Sequence, residues 1–391
     1  MHQKRSPLSL MLALALLAVA CNQAGAPTGQ PSLPGATDSQ PSAPGATDSE
    51  PSAEPSGEAP SGPPASGGEA VTCETPVRVG LVTDVGRVND KGFNQSAYEG
   101  MLAAEEAAPT CFETDFIETV SQSDYVRNIA EFAENDYDVV IGVGFLLGDA
   151  LGDASKESPD VKFISVDGVP GEGHDENWAT SGESLFFAED QAGYLAGVLA
   201  ASITESNVIG VVGGLLVVPP VERFVEGYIN GAEATNPDVE VKFTYTSSFG
   251  EPEQGKAAAQ QMIDEDADVI FAAAGLTGTG ALIAACDAEK LAIGVDTDQY
   301  ETLPEAQSCL VSSATKNIVK AVQDSLLRIA AEEFTPGFHT DDASTNGIGL
   351  APYHDQAEMV PADVQALIEE TYQGLADGSI ETGVVVDGKT E

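Results

Sequence analysis

Three aspartates follow apolar runs that have the length and composition of buried β-strands, and they are the first candidates for ligand chemistry. They are Asp84, Asp167 and Asp296. Ligands of doubly wound sheets bind beyond the carboxyl ends of the strands, so side chains at these ends lie where a ligand would lie. An ionised carboxylate accepts hydrogen bonds from N–H and O–H groups. A helix cap or a turn is the structural alternative for each aspartate.

Aromatic, amide and glycine residues lie near other strand ends. Phe93 and Asn94 follow the first apolar run, and Phe249 lies in the second half of the chain. Gly275 opens a glycine-rich stretch, GLTGTG. Aromatic rings stack on flat ligands while carboxylates bind N–H and hydroxyl groups, so this set indicates a flat, hydroxylated polar ligand. Packing in the core is the alternative role for both phenylalanines.

Lys316 lies at the start of a predicted helix over 315–333. A cation is unfavourable at a helix N-terminus because the helix dipole is positive there. A ligand or a nearby carboxylate such as Asp296 would explain the lysine. The alternative is an ordinary solvated lysine at the surface.

Motifs for catalysis are missing from the sequence. It contains no nucleophile elbow, phosphate-binding loop or cluster of metal ligands. His174, His339 and His354 are scattered, with no carboxylate or cysteine at ligand spacing. The glycines at 275–280 do not have the GxGxxG spacing of a dinucleotide site, and they fit a tightly packed turn better. We therefore expect a protein that is not an enzyme and that uses no cofactor and no metal.

The elements that must position these residues follow an alternating α/β pattern. From Val77, short apolar β-branched runs alternate with helical stretches, and the alternation restarts after a Gly/Asn-containing segment at 171–184. Such runs indicate parallel strands that are covered on both faces. The pattern predicts two doubly wound parallel-sheet lobes joined by a hinge. The predicted lobes are 77–178 plus 314–334, and 179–313 plus 335–391.

The N-terminal 20 residues have the pattern of a lipoprotein signal peptide. Lys4 and Arg5 precede an apolar run over 8–20, which is too short to span a bilayer. The junction of Ala20 and Cys21 resembles a bacterial lipobox, in which the cysteine is lipidated. We expect Cys21 to anchor the protein at the extracytoplasmic face of the cell membrane. Ordinary secretion with an unmodified Cys21 is the alternative.

Residues 21–72 are predicted to form a disordered tether rich in Pro, Ser and Gly. A ten-residue unit occurs at 31–40 and again at 41–50, and residues 22–72 contain no aromatic residue and no Lys or Arg. Such a segment cannot bury enough apolar area to offset the entropy lost on ordering. We interpret it as a spacer between membrane and folded part, with an adhesive or glycosylated stalk as the alternative.

Four cysteines remain when Cys21 is set aside. They are Cys73, Cys111, Cys286 and Cys309. An even number in an exported protein predicts disulfides, and four cysteines allow three pairings. Proximity in the chain favours Cys73 with Cys111 and Cys286 with Cys309.

The charge of the chain restricts its partners. The 391 residues contain 16 Lys and Arg against 63 Asp and Glu, a formal net charge of −47. No basic face is available to neutralise phosphates, so nucleic acid is excluded as a main ligand. A salty or acidic habitat would also favour such a composition.

Seven characteristic segments occur in order over nearly all of 77–335, namely TDVGRVNDKGFNQSAYEG (83–100), YDVVIGVGFLLGDAL (137–151), VKFISVDG (161–168), VIGVVGG (208–214), GLTGTGALIAA (275–285), IGVDTDQ (293–299) and SSATKNIVKAV (312–322). Together they closely resemble the basic membrane protein family of nucleoside-binding lipoproteins of ABC importers. The resemblance implies a type I periplasmic-binding-protein fold, a purine nucleoside between the lobes, and ABC permease subunits as membrane partners. We expect a monomer.

The resemblance also implies roles for single residues. Phe93 and Phe249 would stack on opposite faces of the base. Asn94 and Asp167 would hydrogen-bond the purine edge, with Asp84 close to them.

The ribose hydroxyls would be held by Asp296 and Lys316, aided by the backbone of Gly275. The sequence departs from the family at Gly92, where many relatives have serine, and at Glu251, where many have aspartate. These departures concern the preference among bases.

Three other functions remain open from the sequence. A nucleoside hydrolase or phosphorylase would also need a purine pocket with carboxylates. A lipoprotein sensor would present an occupied lobe pair to a membrane receptor. The same fold could also bind a sugar or another small polar compound.

Overall fold

The computed structural model describes residues 71–171 and 173–385. The predicted signal peptide, Cys21 and all but the last two residues of the predicted tether lie outside these residues. Within them, no helix is both long and apolar enough to cross a membrane.

Helices and strands alternate along almost the whole described chain. The first nine are β1 (Val77–Val85), α1 (Phe93–Ala107), β2 (Phe112–Thr119), α2 (Tyr125–Ala133), β3 (Val139–Val143), α3 (Gly148–Glu157), β4 (Lys162–Val166), α4 (Asp175–Ser181) and β5 (Gly182–Phe187). The next nine are α5 (Glu189–Ile203), β6 (Val208–Gly213), α6 (Pro219–Thr235), β7 (Glu240–Tyr245), α7 (Pro252–Asp264), β8 (Val269–Ala273), α8 (Gly275–Asp287), β9 (Leu291–Asp296) and α9 (Gln299–Thr302). The last five are β10 (Leu310–Lys316), α10 (Ile318–Ala330), β11 (Gly337–Asp341), β12 (Ile348–Leu350) and α11 (Ala362–Asp377).

The strands form two six-stranded sheets, one in each lobe. The order is β11-β5-β4-β3-β1-β2 in the first lobe and β12-β10-β9-β8-β6-β7 in the second. The antiparallel pair of β10 with β12 is the exception among otherwise parallel neighbours in these described sheets. All five residues of β3 and of β8 are buried, as expected for strands covered on both faces. The two doubly wound lobes predicted from the sequence are therefore confirmed.

Sheet membership differs from the predicted lobe boundaries in three places. Strand β5 pairs with β4, and β11 pairs with β5, so both belong to the first lobe although the prediction placed them in the second. Strand β10 pairs with β9, so residues 314–316 belong to the second sheet rather than the first lobe. The chain consequently passes between the lobes after β5, after β10 and between β11 and β12.

Strand β5 begins with small and polar residues, so the apolar pattern of a buried strand does not reveal it. Its first residues, Gly182, Glu183 and Ser184, are all buried. The Glu183 carboxylate accepts hydrogen bonds from Ser325 and Arg328, both in α10. A buried charge requires such partners, and a local pattern cannot reveal residues that lie more than a hundred positions away.

Two disulfides join the cysteines as chain proximity favoured. Cys73 is bonded to Cys111, next to the start of β2, and Cys286 in α8 is bonded to Cys309, next to the start of β10. The first bond fixes the entry of the chain into the first sheet. The second holds α8 to the segment that leads into β10.

Replacing both Cys286 and Cys309 by alanine should lower the free energy of unfolding by about 3 kcal/mol, because the unfolded chain gains the freedom of an open loop. Urea denaturation under non-reducing conditions measures the change. In reducing buffer the variant and the parent protein should differ less. Free thiols at these two positions in the denatured, unreduced parent would contradict the pairing.

Candidate functional site

All eight residues predicted to bind ligand line one cleft between the two lobes. The first lobe contributes Asp84, Phe93, Asn94 and Asp167, and the second contributes Phe249, Gly275, Asp296 and Lys316. The cleft contains about 640 Å³ of non-protein space, part of it open to solvent.

Asp84 lies in β1, lines the cleft and is buried. Its Oδ1 accepts hydrogen bonds from the Tyr125 hydroxyl and from the backbone N–H of Val85. Burial raises the pKa of Asp84 to about 6, although these hydrogen bonds favour the ionised form and act in the opposite direction.

Asn94, in the first turn of α1, is held by its neighbours in the first lobe. Its Oδ1 accepts a hydrogen bond from the backbone N–H of Asp84 at 2.9 Å, and its Nδ2 donates to Asp90 Oδ2 at 3.0 Å. One N–H of the amide remains for a ligand. Asn94 therefore connects Asp84 with Asp90 and keeps one N–H group for a ligand.

Asp90 also lines the cleft and was not among the predicted residues. Its carboxylate accepts hydrogen bonds from the backbone N–H groups of Gly92, Asn94 and Gln95 at 2.9–3.0 Å. It thus caps the N-terminus of α1, which begins at Phe93. An aspartate three residues before a helix is the signal that could have identified it.

Lys316 is the last residue of β10 and not part of a helix, which corrects the prediction. Its ammonium group is buried and lies 2.5 Å from Asp167 Oδ2 and 2.9 Å from Glu189 Oε1. Glu189 in turn lies 3.3 Å from Arg223 Nη1. Glu189 was not among the predicted residues, because its position at the start of α5 resembles an ordinary helix N-terminus.

The charges of this cluster shift each other's pKa. Burial raises the pKa of Asp167 to about 6, against the attraction of Lys316. Desolvation alone would lower the pKa of Lys316, but Asp167, Glu189 and Asp296 raise it well above its usual range. These carboxylates therefore favour the charged form of Lys316, and Asp167 is the carboxylate held to it across the cleft.

One oxygen of Asp167 has no protein partner. Asp167 is buried, and its Oδ1 receives no hydrogen bond from the described part of the chain. A buried carboxylate oxygen without a donor is costly, so this atom is a ready acceptor for a ligand N–H or O–H group.

Asp296 is the equivalent strand-end carboxylate of the second lobe. It ends β9, is 7% exposed, and has φ of 67°, close to the 63° of Asp167 after β4. Aspartate tolerates this left-handed conformation better than most residues. Burial raises the pKa of Asp296 to about 7; Lys316 opposes this rise, and the neighbouring carboxylates add to it.

Aromatic rings from both lobes form walls of the cleft. The ring of Phe93 is centred 5.1 Å from Lys316 Nζ. The ring of Phe249 lies over Gly214, where a Cβ atom would come within 2.2 Å of Cε1. Glycine at 214 is therefore required for Phe249 to take this position.

The loop that carries Phe249 is fastened to the start of α8. The Thr277 hydroxyl donates to the Ser248 carbonyl at 2.8 Å, and the Thr277 N–H donates to the Phe249 carbonyl at 3.0 Å. Gly275, the first residue of α8, has φ of 57°, which is favourable for glycine. The loop around Phe249 is thus fixed by contacts with α8.

The three histidines of interest lie outside the lining of this cleft. His174 contacts Asp153 and the Gly171 carbonyl, and His354 contacts Asp298. No group of three or more potential metal ligands occurs within residues 71–171 and 173–385.

The chain matches one protein family and is similar to several known proteins. The sequence profile of the Bmp family, "ABC transporter substrate-binding protein PnrA-like", matches residues 77–373. A Listeria monocytogenes protein named CD4+ T-cell-stimulating antigen is 32% identical over 320 residues, which are 78% of this chain and 87% of that protein. A Lactococcus lactis protein named ABC transporter nucleoside-binding protein BmpA is 35% identical over 236 residues, 58% of this chain and 65% of that protein.

A solved structure is also similar to this chain. An ABC transporter solute-binding protein from Aeropyrum pernix K1 is 25% identical and superposes with a TM-score of 0.70. The superposition covers 78% of this chain and 93% of the other.

The raised pKa values predict that the ligand-free protein loses stability as the pH rises. Between about pH 4 and about pH 7 the folded protein binds more protons at Asp84, Asp167 and Asp296 than the unfolded chain does, so the free energy of unfolding falls through this window. The free energy of unfolding of Asp296→Asn should exceed that of the parent by more at about pH 8 than at about pH 4. This advantage should grow by at least about 1.4 kcal/mol between the two pH values, because one pKa unit corresponds to that energy.

Chemical denaturation at both pH values measures this difference. The matched control is Glu131→Gln, which removes an exposed carboxylate that does not line the cleft. A pH dependence that is equal in Asp296→Asn and in the control would contradict the raised pKa of Asp296.

Proposed function

We propose that this chain, which belongs to the Bmp family of PnrA-like ABC transporter substrate-binding proteins, binds a purine nucleoside in the cleft between its two lobes. The observation that carries the proposal is the unpartnered Oδ1 of buried Asp167, placed among Asp296, Lys316 and two aromatic walls. This arrangement favours a flat ligand that has both ring N–H groups and hydroxyls.

The walls and the carboxylates contribute differently to recognition. Stacking on Phe93 and Phe249 favours any flat ring and distinguishes poorly between purines. Hydrogen bonds from ligand N–H and O–H groups to Asp167 and Asp296 are charge-assisted, and therefore stronger and more directional. In this proposal Asp167 binds the base edge, whereas Asp296 and Lys316 bind the ribose.

The nucleoside assignment is also supported by the Lactococcus lactis relative, whose name describes nucleoside binding. The chain acts in this proposal by binding and release, without catalysis. Closure of the lobes over the ligand would present it to ABC permease subunits in the membrane.

We further propose that the mature protein begins at a lipidated Cys21 and is held at the extracytoplasmic face of the cell membrane. Residues 22–72 would then act as the spacer that separates the lobes from the bilayer. A monomer is sufficient for this function, since all eight candidate residues line a cleft within one chain.

Asp296→Ala should weaken guanosine binding about ten- to a hundredfold, because a charge-assisted hydrogen bond contributes about 1.5–3 kcal/mol. Phe93→Leu should weaken it less than about tenfold, because stacking contributes about 0.5–1.5 kcal/mol beyond area burial. Asp296→Ala should also reduce the preference for guanosine over guanine. Calorimetric titration with nucleosides, free bases and simple sugars measures these differences, with Glu131→Ala as the control.

Three results would count against this assignment. If the parent protein binds guanine as tightly as guanosine, Asp296 has no ribose role. If it binds a hexose and no nucleoside, the ligand is a sugar. Free base released from guanosine during incubation would indicate a hydrolase instead of a binding protein.

Cys21→Ser should release the protein from membranes into the soluble fraction. A single acyl chain gives only marginal membrane binding, so stable anchoring depends on the several chains of a lipoprotein cysteine. Cell fractionation with immunodetection measures the distribution, and the control is Asn22→Ser, which introduces a serine at the next position and leaves the cysteine in place. Unchanged membrane retention of Cys21→Ser would contradict the anchor.

A further inference from the structure

The segment that connects β1 to α1, residues 86–92, forms one edge of the cleft and is called the strap below. Gly86 and Asp90 of the strap line the cleft directly. The backbone of the strap is fixed within the first lobe: Asp90 accepts the N–H of Gly92, and Gln95 Oε1 accepts the N–H of Lys91. Lys91 has φ of 69°, so its peptide is turned away from the regular extended path.

The strap is bound by the opposite lobe through one carbonyl oxygen. The Lys91 carbonyl accepts a hydrogen bond from Gln299 Nε2 at 3.0 Å and another from the Thr302 hydroxyl at 2.8 Å. Gln299 and Thr302 are the first and last residues of α9 in the second lobe. A carbonyl oxygen has two lone pairs, so this pair of donors satisfies it fully.

Gln299 is held in place by further hydrogen bonds in the second lobe. Its Oε1 accepts the backbone N–H of Val295 at 2.9 Å, and its own N–H donates to Ser313 Oγ at 3.1 Å. The side chain is buried, and Val295 directly precedes Asp296 in β9. The same amide group therefore connects the strand that carries Asp296 with the strap of the other lobe.

The strap lies close against Asp296 at Gly92. A Cβ atom at Gly92 would be 3.6 Å from Asp296 Oδ2 and 4.0 Å from Gln299 Nε2. Gln299 and Thr302 themselves do not line the cleft. The contacts that join the lobes here are thus separate from the groups that face a ligand.

We propose that Gln299 and Thr302 are positioning residues that latch the strap across the cleft and so set how long a ligand stays bound. The latch is made only when the lobes are closed, because the donors and the acceptor belong to different lobes. Breaking it speeds opening and leaves the ligand contacts intact. Ligand dissociation therefore accelerates equally for ligands that differ in base or sugar. The latch rests on the proposed nucleoside function only for the choice of ligand in its test.

Two variants break the latch in different ways. Thr302→Val is nearly isosteric and removes only the hydroxyl that donates to Lys91. Gln299→Glu keeps an acceptor for the Val295 N–H but places a carboxylate oxygen against the Lys91 carbonyl. The control is Gln307→Glu, since Gln307 Nε2 donates at 2.7 Å to the Tyr300 carbonyl of α9 within the second lobe. It makes the same chemical change without touching the strap.

Stopped-flow displacement of bound guanosine and of bound inosine measures dissociation. Thr302→Val should raise the dissociation rate about fivefold, as expected for one net hydrogen bond, and Gln299→Glu should raise it more. Both ligands should be affected by the same factor, and association should change less than about twofold. Dissociation rates that match those of Gln307→Glu, or a change confined to one ligand, would overturn the latch.

A distance measurement separates failure of the latch from failure of the nucleoside assignment. Spin labels at Glu131→Cys in α2 and Gln260→Cys in α7, both exposed, report the separation of the lobes. The two latch variants should have a smaller closed fraction than the parent and Gln307→Glu, with or without guanosine. If guanosine leaves the distances of the parent unchanged, the nucleoside assignment fails while this comparison still decides the latch. Equal closed fractions in all four proteins would overturn it.

Discussion

The site depends on the ion pairs of the buried Lys316 ammonium group. It lies at the end of a strand of the second lobe and contacts Asp167, which follows a strand of the first, together with Glu189. A buried ammonium group is tolerable only with such partners, and removing either side would leave a desolvated charge. The pairing therefore joins the carboxyl ends of the two sheets, and the ligand cleft is formed at that junction.

The same cluster gives the cleft an excess of acceptors. Lys316 occupies one oxygen of Asp167, and the other receives no donor from the described residues, while Asp296 is buried close by and has a raised pKa. A protein interior with surplus carboxylates is unfavourable until a ligand supplies N–H or O–H donors. In the proposed function, this excess of acceptors favours ligands that are rich in N–H and O–H donors.

In the proposed function, the residues that contact the ligand are separate from the residues that hold the lobes closed. The strand-end aspartates face the cleft, whereas Asp90 shapes the strap and the residues of α9 contact it from the other lobe. Contacts that do not touch the ligand can change the closing equilibrium without altering discrimination between ligands. The short helix α9 directly follows the strand that ends in Asp296, and this position brings Gln299 and Thr302 to the strap.

The sequence by itself determined the alternation of strands and helices, the two parallel sheets, the family resemblance and the strand-end set of candidate residues. These follow from local periodicity and from the rule that ligands bind at the carboxyl ends of parallel strands. Only the tertiary structure decided that β5 and β11 belong to the first sheet, that Lys316 ends a strand, and that Glu189 and Asp90 belong to the site. Asp90 has local partners and a local helix-cap signal. The others depend on partners distant in the chain, such as Asp167 and Lys316 at a separation of 149 residues, and no local pattern encodes which distant charges will meet in a desolvated interior.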